Sequence, residues 1–222
     1  MTTSAVTPPA HAAPPARRKS LAKPALWLLM AVGFLSVLIL TEYPYFGHPN
    51  PNRARVLSEK LAFLPHALAG LTALLIGPFQ FSTRLRQRNL TLHRILGKVY
   101  VGAIILAAPT ALIISWHLDK VDQPEIYIFA ETCAQAGLWL ITTIAAFITA
   151  RNRHIATHRQ WMIRSYTITF FFVASRIPMP LPVVQHMTDA AFTIYLFLLL
   201  IASLILPDIY FSWRELTTRR TK

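Results

Sequence analysis

Two nine-residue segments of this chain carry the same pattern of arginine and histidine. Arg86-Gln87-Arg88-Asn89-Leu90-Thr91-Leu92-His93-Arg94 and Arg151-Asn152-Arg153-His154-Ile155-Ala156-Thr157-His158-Arg159 both read R-x-R-x-[LI]-x-x-H-R, at a constant separation of 65 residues. Each copy ends on a His–Arg pair. Neutral imidazole is a good iron ligand, and two imidazoles from facing helices suffice to hold a haem from both sides. Arg94, Arg159 and Arg164 are then spaced to take the propionates in bidentate hydrogen bonds. The chemistry expected is one b-type haem on His93 and His158, passing electrons to a quinone or another membrane redox partner. A plainer expectation competes with it: where a helix leaves a membrane, a His–Arg pair touches lipid phosphates while arginine snorkels to the surface.

The same separation relates His66 to Glu131. An acid inside a membrane is costly and faces a cavity or a partner. This second polar site is read as a proton or quinol site, as a metal site completed by His117 or His186, or as a satisfied internal pair such as Glu131 with Arg176. Arg164 and Asp208 stand at similar depths in their segments and are expected to pair. His154 and His158 are spaced i, i+4, which can bind a metal, but no third ligand completes a zinc motif. Cys133 is the only cysteine, so disulfides within the chain are excluded. No phosphate loop and no Ser/His/Asp set with suitable spacing is present, so no catalytic residue is assigned.

These residues need elements to hold them, and composition says which. Of 222 residues, 54% are hydrophobic and only 14% charged, against roughly 25% charged in a soluble domain. Mean hydropathy is +0.44. Five uncharged runs, 25–41, 61–83, 99–116, 132–150 and 190–207, approach or exceed the roughly 17–25 helical residues that cross a bilayer. A sixth, 157–175, qualifies once Arg159 and Arg164 are admitted. Non-alternating runs such as IYLFLLLIASLIL exclude a membrane barrel, so the fold expected is all-α, with six transmembrane helices.

Charge placement tests that count. With six spans, seventeen of the twenty-two basic residues fall on one side, together with both termini, and seven of the nine acidic residues fall on the other. The positive-inside rule then puts both ends in the cytoplasm of a bacterial inner-membrane protein. The net charge of +13 is thereby dispersed over short segments against anionic lipid, and nucleic-acid binding is not expected. The chain divides into a disordered Pro/Ala-rich tail (1–24), a membrane domain (25–213) and a basic tail (214–222). Because each basic motif follows an inward helix and opens an outward one, helices two to five read as two repeated hairpins forming a central four-helix bundle. Such a parallel repeat is related by an axis along the membrane normal.

The segments LPHALAGLTALLIGPFQFSTRLRQRNLTLHRILGKVYV and THRQWMIRSYTITFFFVASR resemble the bacterial multi-pass membrane proteins grouped as domain of unknown function 2306. The likeness spans 57–176 and implies topology without chemistry. It draws attention to His66, Gly70, Gly77, Pro78, Gln80 and Arg84 in the first hairpin. It does the same for His93, Arg94, Gly97 and Tyr100 in the next helix, and for His158, Arg159, Trp161, Met162, Arg164, Ser165 and Arg176. In architecture alone the arrangement is similar to the four-helix haem core of cytochrome b561. There histidines pair across alternate helices; here the outer pair is His66 with Glu131, which speaks against a second haem.

Overall fold

A chain this apolar must satisfy its backbone within each segment, and helices do so. The computed structural model describes residues 22–37, 39, 60–122 and 126–217, and among these there is helix and turn but no strand. The helices are α1 (Ala22–Val37), α2 (Lys60–Gln80), α3 (Thr83–Arg88), α4 (Leu90–Asp122), α5 (Ile126–Arg151), α6 (Ile155–Arg176), α7 (Pro182–Gln185) and α8 (Asp189–Thr217). The all-α expectation holds.

Among the described residues, four helices are long and apolar enough to cross a membrane: Leu61–Gln80, Leu90–His117, Tyr127–Arg151 and Asp189–Thr217. This is fewer than the six expected. The 22 residues of α6 reach about 33 Å at 1.5 Å per residue, but His158, Arg159, Arg164 and Arg176 dilute its apolar content. α1 is described over only 16 residues. The rest of that expected span, the loop bearing Arg53 and Arg55, and residues 1–21 and 218–222 lie outside the described residues. Two expected boundaries shift: α1 begins at Ala22 inside the anticipated tail, and α8 runs to Thr217. Outward faces are as apolar as inward ones, with Leu64, Ile105, Ile141, Leu198 and Ile205 all exposed.

α2, α4, α5 and α6 form a ring in which α2 touches α4, α4 touches α5, α5 touches α6 and α6 touches α2. The diagonal pairs are therefore α4 with α6 and α2 with α5. α1 leans on α6, and α8 lies across α6 and α5. Small residues set the spacing of the first hairpin: Ala69 and Ala73 on α2 and Ala103, Ala107 and Ala108 on α4 are buried. Without a hydrophobic drive between helices in lipid, such small side chains let backbones approach and gain dispersion contacts.

The turns follow from capping chemistry. Ser82 accepts the Leu85 N–H at 3.2 Å to start α3, and Asn89 accepts the Leu92 N–H at 2.9 Å to start α4. α5 ends in a Schellman arrangement: His154 N–H reaches the Thr149 carbonyl and Arg153 N–H the Ala150 carbonyl. Arg153 accordingly occupies the left-handed region at φ 60°. The three prolines of IPMPLPVV (177–184) predict an extended or re-entrant segment. It instead winds into turns and the one-turn helix α7, with Pro182 in the first turn where its missing N–H costs nothing.

One close approach is specific. A Cβ at Gly77 would overlap the ring of Tyr166, whose hydroxyl donates to the Leu74 carbonyl at 3.2 Å. Gly70, two turns earlier on nearly the same side of α2, has open space around it. Gly77→Ala should therefore cost about 1–3 kcal/mol through overpacking. Gly70→Ala should be neutral or gain up to about 1 kcal/mol from helix propensity. Thermal unfolding of both variants in detergent checks the contrast.

Candidate functional site

The bundle carries polar groups at three levels. At the inner end, His93 and His158 are each the fourth residue of their helices, α4 and α6, which face each other diagonally. The His158 Nδ1–H donates to the Ala146 carbonyl at 2.8 Å. That bond fixes the tautomer and leaves Nε2 with its lone pair, the arrangement a metal-ligating histidine uses. His93 is within electrostatic reach of Arg86, His158 and Arg94. Its Nδ1 is buried and finds no hydrogen-bond partner among the described residues, and the same is true of Gln80 Nε2. The Gln80 carbonyl oxygen lies 3.3 Å from where a Cβ of Gly97, one turn beyond His93, would stand.

The difference between the two rings has a local cause. Sixty-five residues before Ala146 stands Phe81, where α2 has already broken: Phe81 N–H and Ser82 N–H turn back to Pro78 and Phe79 at 3.1 Å each. α5 runs unbroken through Ala146 and offers its carbonyl to His158. His93 has no such acceptor. Arg94 and Arg159 are exposed beside the pair.

At mid-depth lies a hydroxyl network that joins two residues marked by the family resemblance, Tyr100 and Ser165, to residues it did not mark. Tyr100, fully buried on α4, reaches across the diagonal to Ser165 Oγ and Thr169 Oγ1 on α6, both at 2.9 Å. Thr143 on α5 meets Ser165 at 2.7 Å, and Trp139 Nε1–H donates to Thr169 at 2.9 Å. Tyr100 and Ser165 are themselves 65 residues apart. Extending the motif's separation into the helices would have found them.

At the outer end, the His66 Nδ1–H donates to the Ala107 carbonyl at 2.9 Å, pinning α2 to α4. Glu131 is buried on α5, and its Oε1 has no hydrogen-bond partner. Ser115 and Thr132 join α4 to α5 beside it at 3.3 Å. The anticipated partner Arg176 lies over the Phe172 ring at 5.0 Å and within electrostatic reach of His66. His186 is exposed and bonded to the Pro182 carbonyl. Among the described residues no three His, Cys, Asp or Glu side chains gather to hold a metal ion, so neither His117 nor His186 completes a metal set with Glu131. His154 precedes α6 and makes no side-chain cap bond.

Residues 63–211 match the family of predicted membrane proteins designated DUF2306. The chain belongs to that family. The match takes in every candidate residue above and continues through most of α8, beyond the 57–176 segment from which the resemblance was read. No curated protein and no solved structure matches this DUF2306 chain.

Arg164 is committed elsewhere than to the inner histidines. Its Nε and a terminal nitrogen both donate to Asp208 Oδ1 on α8, at 2.9 and 2.5 Å. The guanidinium also lies over the rings of Trp161 at 4.9 Å and Phe211 at 5.5 Å. The expected pairing with Asp208 is thus present, and Arg164 drops out of any set of propionate partners.

Two measurements follow for this DUF2306 protein. Arg164→Ala and Asp208→Ala should each cost on the order of 1–3 kcal/mol, less than a fully buried pair because Asp208 is half exposed. The double variant should lose less folded protein than the two single losses combined, as read by fluorescence-detected size exclusion. Tyr100→Phe removes the hydroxyl from two partners, Ser165 and Thr169, that keep other hydrogen bonds, and should lower stability by about 1–2 kcal/mol in detergent unfolding.

Proposed function

We propose that this DUF2306 protein is a six-span bundle of the bacterial inner membrane, both termini cytoplasmic, whose inner-end histidines His93 and His158 hold one b-type haem. The observation that carries the reading is the matched placement of the two imidazoles on diagonal helices, with His158 already held by its Nδ1 bond. A bare metal ion needs three or four side-chain ligands, and the described residues offer no such set. Two imidazoles alone suit an iron that brings its own four equatorial nitrogens. Haem, when bound, would supply one-electron redox chemistry. The chain would supply the axial ligands and cationic Arg94 and Arg159 at the propionate edge, and a quinone or membrane redox protein would be the electron partner.

Three features support six spans. The excess of basic residues falls on one side only with that count, α6 is a member of the central ring, and its arginines are concentrated in its first half. The repeated-hairpin arrangement draws support from the ring itself. A two-fold axis along the bundle exchanges α2 with α5 and α4 with α6, which are the observed diagonals, and Tyr100 and Ser165 meet across it.

A second reading is favoured by one observation, the unpartnered Oε1 of buried Glu131. Under it the outer polar site with His66 takes up a proton, and the protein is a proton-coupled transporter or an assembly partner rather than a cytochrome.

Colour separates them. Protein purified from haem-supplied cells should show a reducible b-type absorption band, lost in His93→Ala and in His158→Ala and kept in His154→Ala. Colourless, well-folded protein would move the function to the Glu131 reading.

A further inference from the structure

A cleft of about 590 Å³ runs along the lipid-facing side of the α2/α4 hairpin. Leu64, Leu68, Val99 and Leu106 stand exposed along its sides, and Gly102 and buried Ala103 also line this open, shallow groove. No helix of the described chain covers it, because α1 lies against α6 and α8 against α6 and α5.

The motif separation of 65 residues carries this cleft onto the surface where α8 lies. Ala69 maps onto Ala134, Leu106 onto Phe171 and Val99 onto Arg164. Ala134 and Phe171 belong to the cluster that buries Leu196 and Leu200 of α8, and Arg164 binds Asp208 of α8. One hairpin is therefore clad by a helix on the face that its counterpart leaves open.

α8 has a second unfilled face. Ile194, Leu198, Ile201, Ile205 and Asp208 recur at helical spacing on the side away from Leu196 and Leu200, and all five are exposed. The Asp208 side chain is 54% accessible. A carboxylate left against hydrocarbon is costly even with one arginine beside it, so this ridge is better covered by protein than by acyl chains. Among the described residues no charged side chain lines the cleft, and the basic residue next in sequence to its lining is Lys98. Lys98 is exposed and immediately precedes Val99, the counterpart of Arg164.

We infer that the α2/α4 cleft is the docking site for α8 of a second copy of this chain, its isoleucine ridge seated over Gly102 and its Asp208 meeting Lys98. The geometry is self-consistent in a membrane. A two-fold along the normal preserves direction, so the incoming helix runs the same way as the resident α8, as it must in a copy inserted with the same topology. Cleft and ridge are different surfaces, so the contact is heterologous and builds a ring or an array rather than an isologous pair. The inference rests on the repeated-hairpin arrangement and is independent of haem.

The test uses full-length protein in native-lipid nanodiscs with Cys133→Ser as background. One tagged copy carries Gly102→Cys and a differently tagged copy carries Ile201→Cys. Mild oxidation should link one of each, and adding Lys98→Glu should lower the yield several-fold. Gly102 has open space around its missing side chain, so Gly102→Leu should fold with unchanged thermal unfolding yet shift the native mass to a single chain. A single-chain mass for the unsubstituted protein would overturn the inference, with lipid then filling the cleft. So would linkage confined to pairs of Gly102→Cys copies.

Discussion

Polar groups inside a bundle surrounded by lipid have no solvent to fall back on, and this fold depends on how it satisfies them. The cross-diagonal bond from Tyr100 to Ser165 and Thr169 does so at the centre. In a low dielectric each hydroxyl bond is stronger than in water, and an unmade one is correspondingly costly. The network therefore selects one register for α4 against α6. Trp139 and Thr143 extend that selection to α5, and Tyr166, seated against Gly77, extends it to α2. Leucine and isoleucine alone would pack in several registers, since lipid tails are as apolar as they are.

The imidazoles repeat the principle at the ends. His66 binds a carbonyl of α4 from α2, and His158 binds a carbonyl of α5 from α6. Each hairpin thus has one imidazole pin, the first at its outer end and the second at its inner end, in addition to its mid-depth Thr143–Ser165 and Trp139–Thr169 bonds. Arg164 and Asp208 add α8 by charge rather than hydroxyl, with aromatic rings of Trp161 and Phe211 taking the faces of the guanidinium that water would otherwise hydrate.

Much of this was legible before any coordinates. Uncharged runs located the helices because lipid punishes charge strongly and repeatedly along a segment, and the boundaries of α2 and α6 fall within three residues of expectation, while α5 begins six residues early at Ile126. The Arg164–Asp208 pair was legible for the same reason, since two opposite charges at one depth have few other choices. α4 begins nine residues before its expected run, at Leu90, because amphipathic ends form helix without being apolar. The resemblance marked Tyr100 and Ser165 but not that they meet, because a tyrosine, a serine and two threonines carry no charge that would pair them. What joins them is a diagonal across the ring, which is tertiary. The pairing proposed for Glu131 with Arg176 had only shared depth to recommend it, and depth does not say which way a side chain turns around its helix.

The break in α2 at Phe81 and Ser82 leaves the two inner rings mechanically unlike. His158 is a fixed post, its plane set by a carbonyl of unbroken α5, whereas His93 sits beside a jointed segment and can rotate about its own bonds.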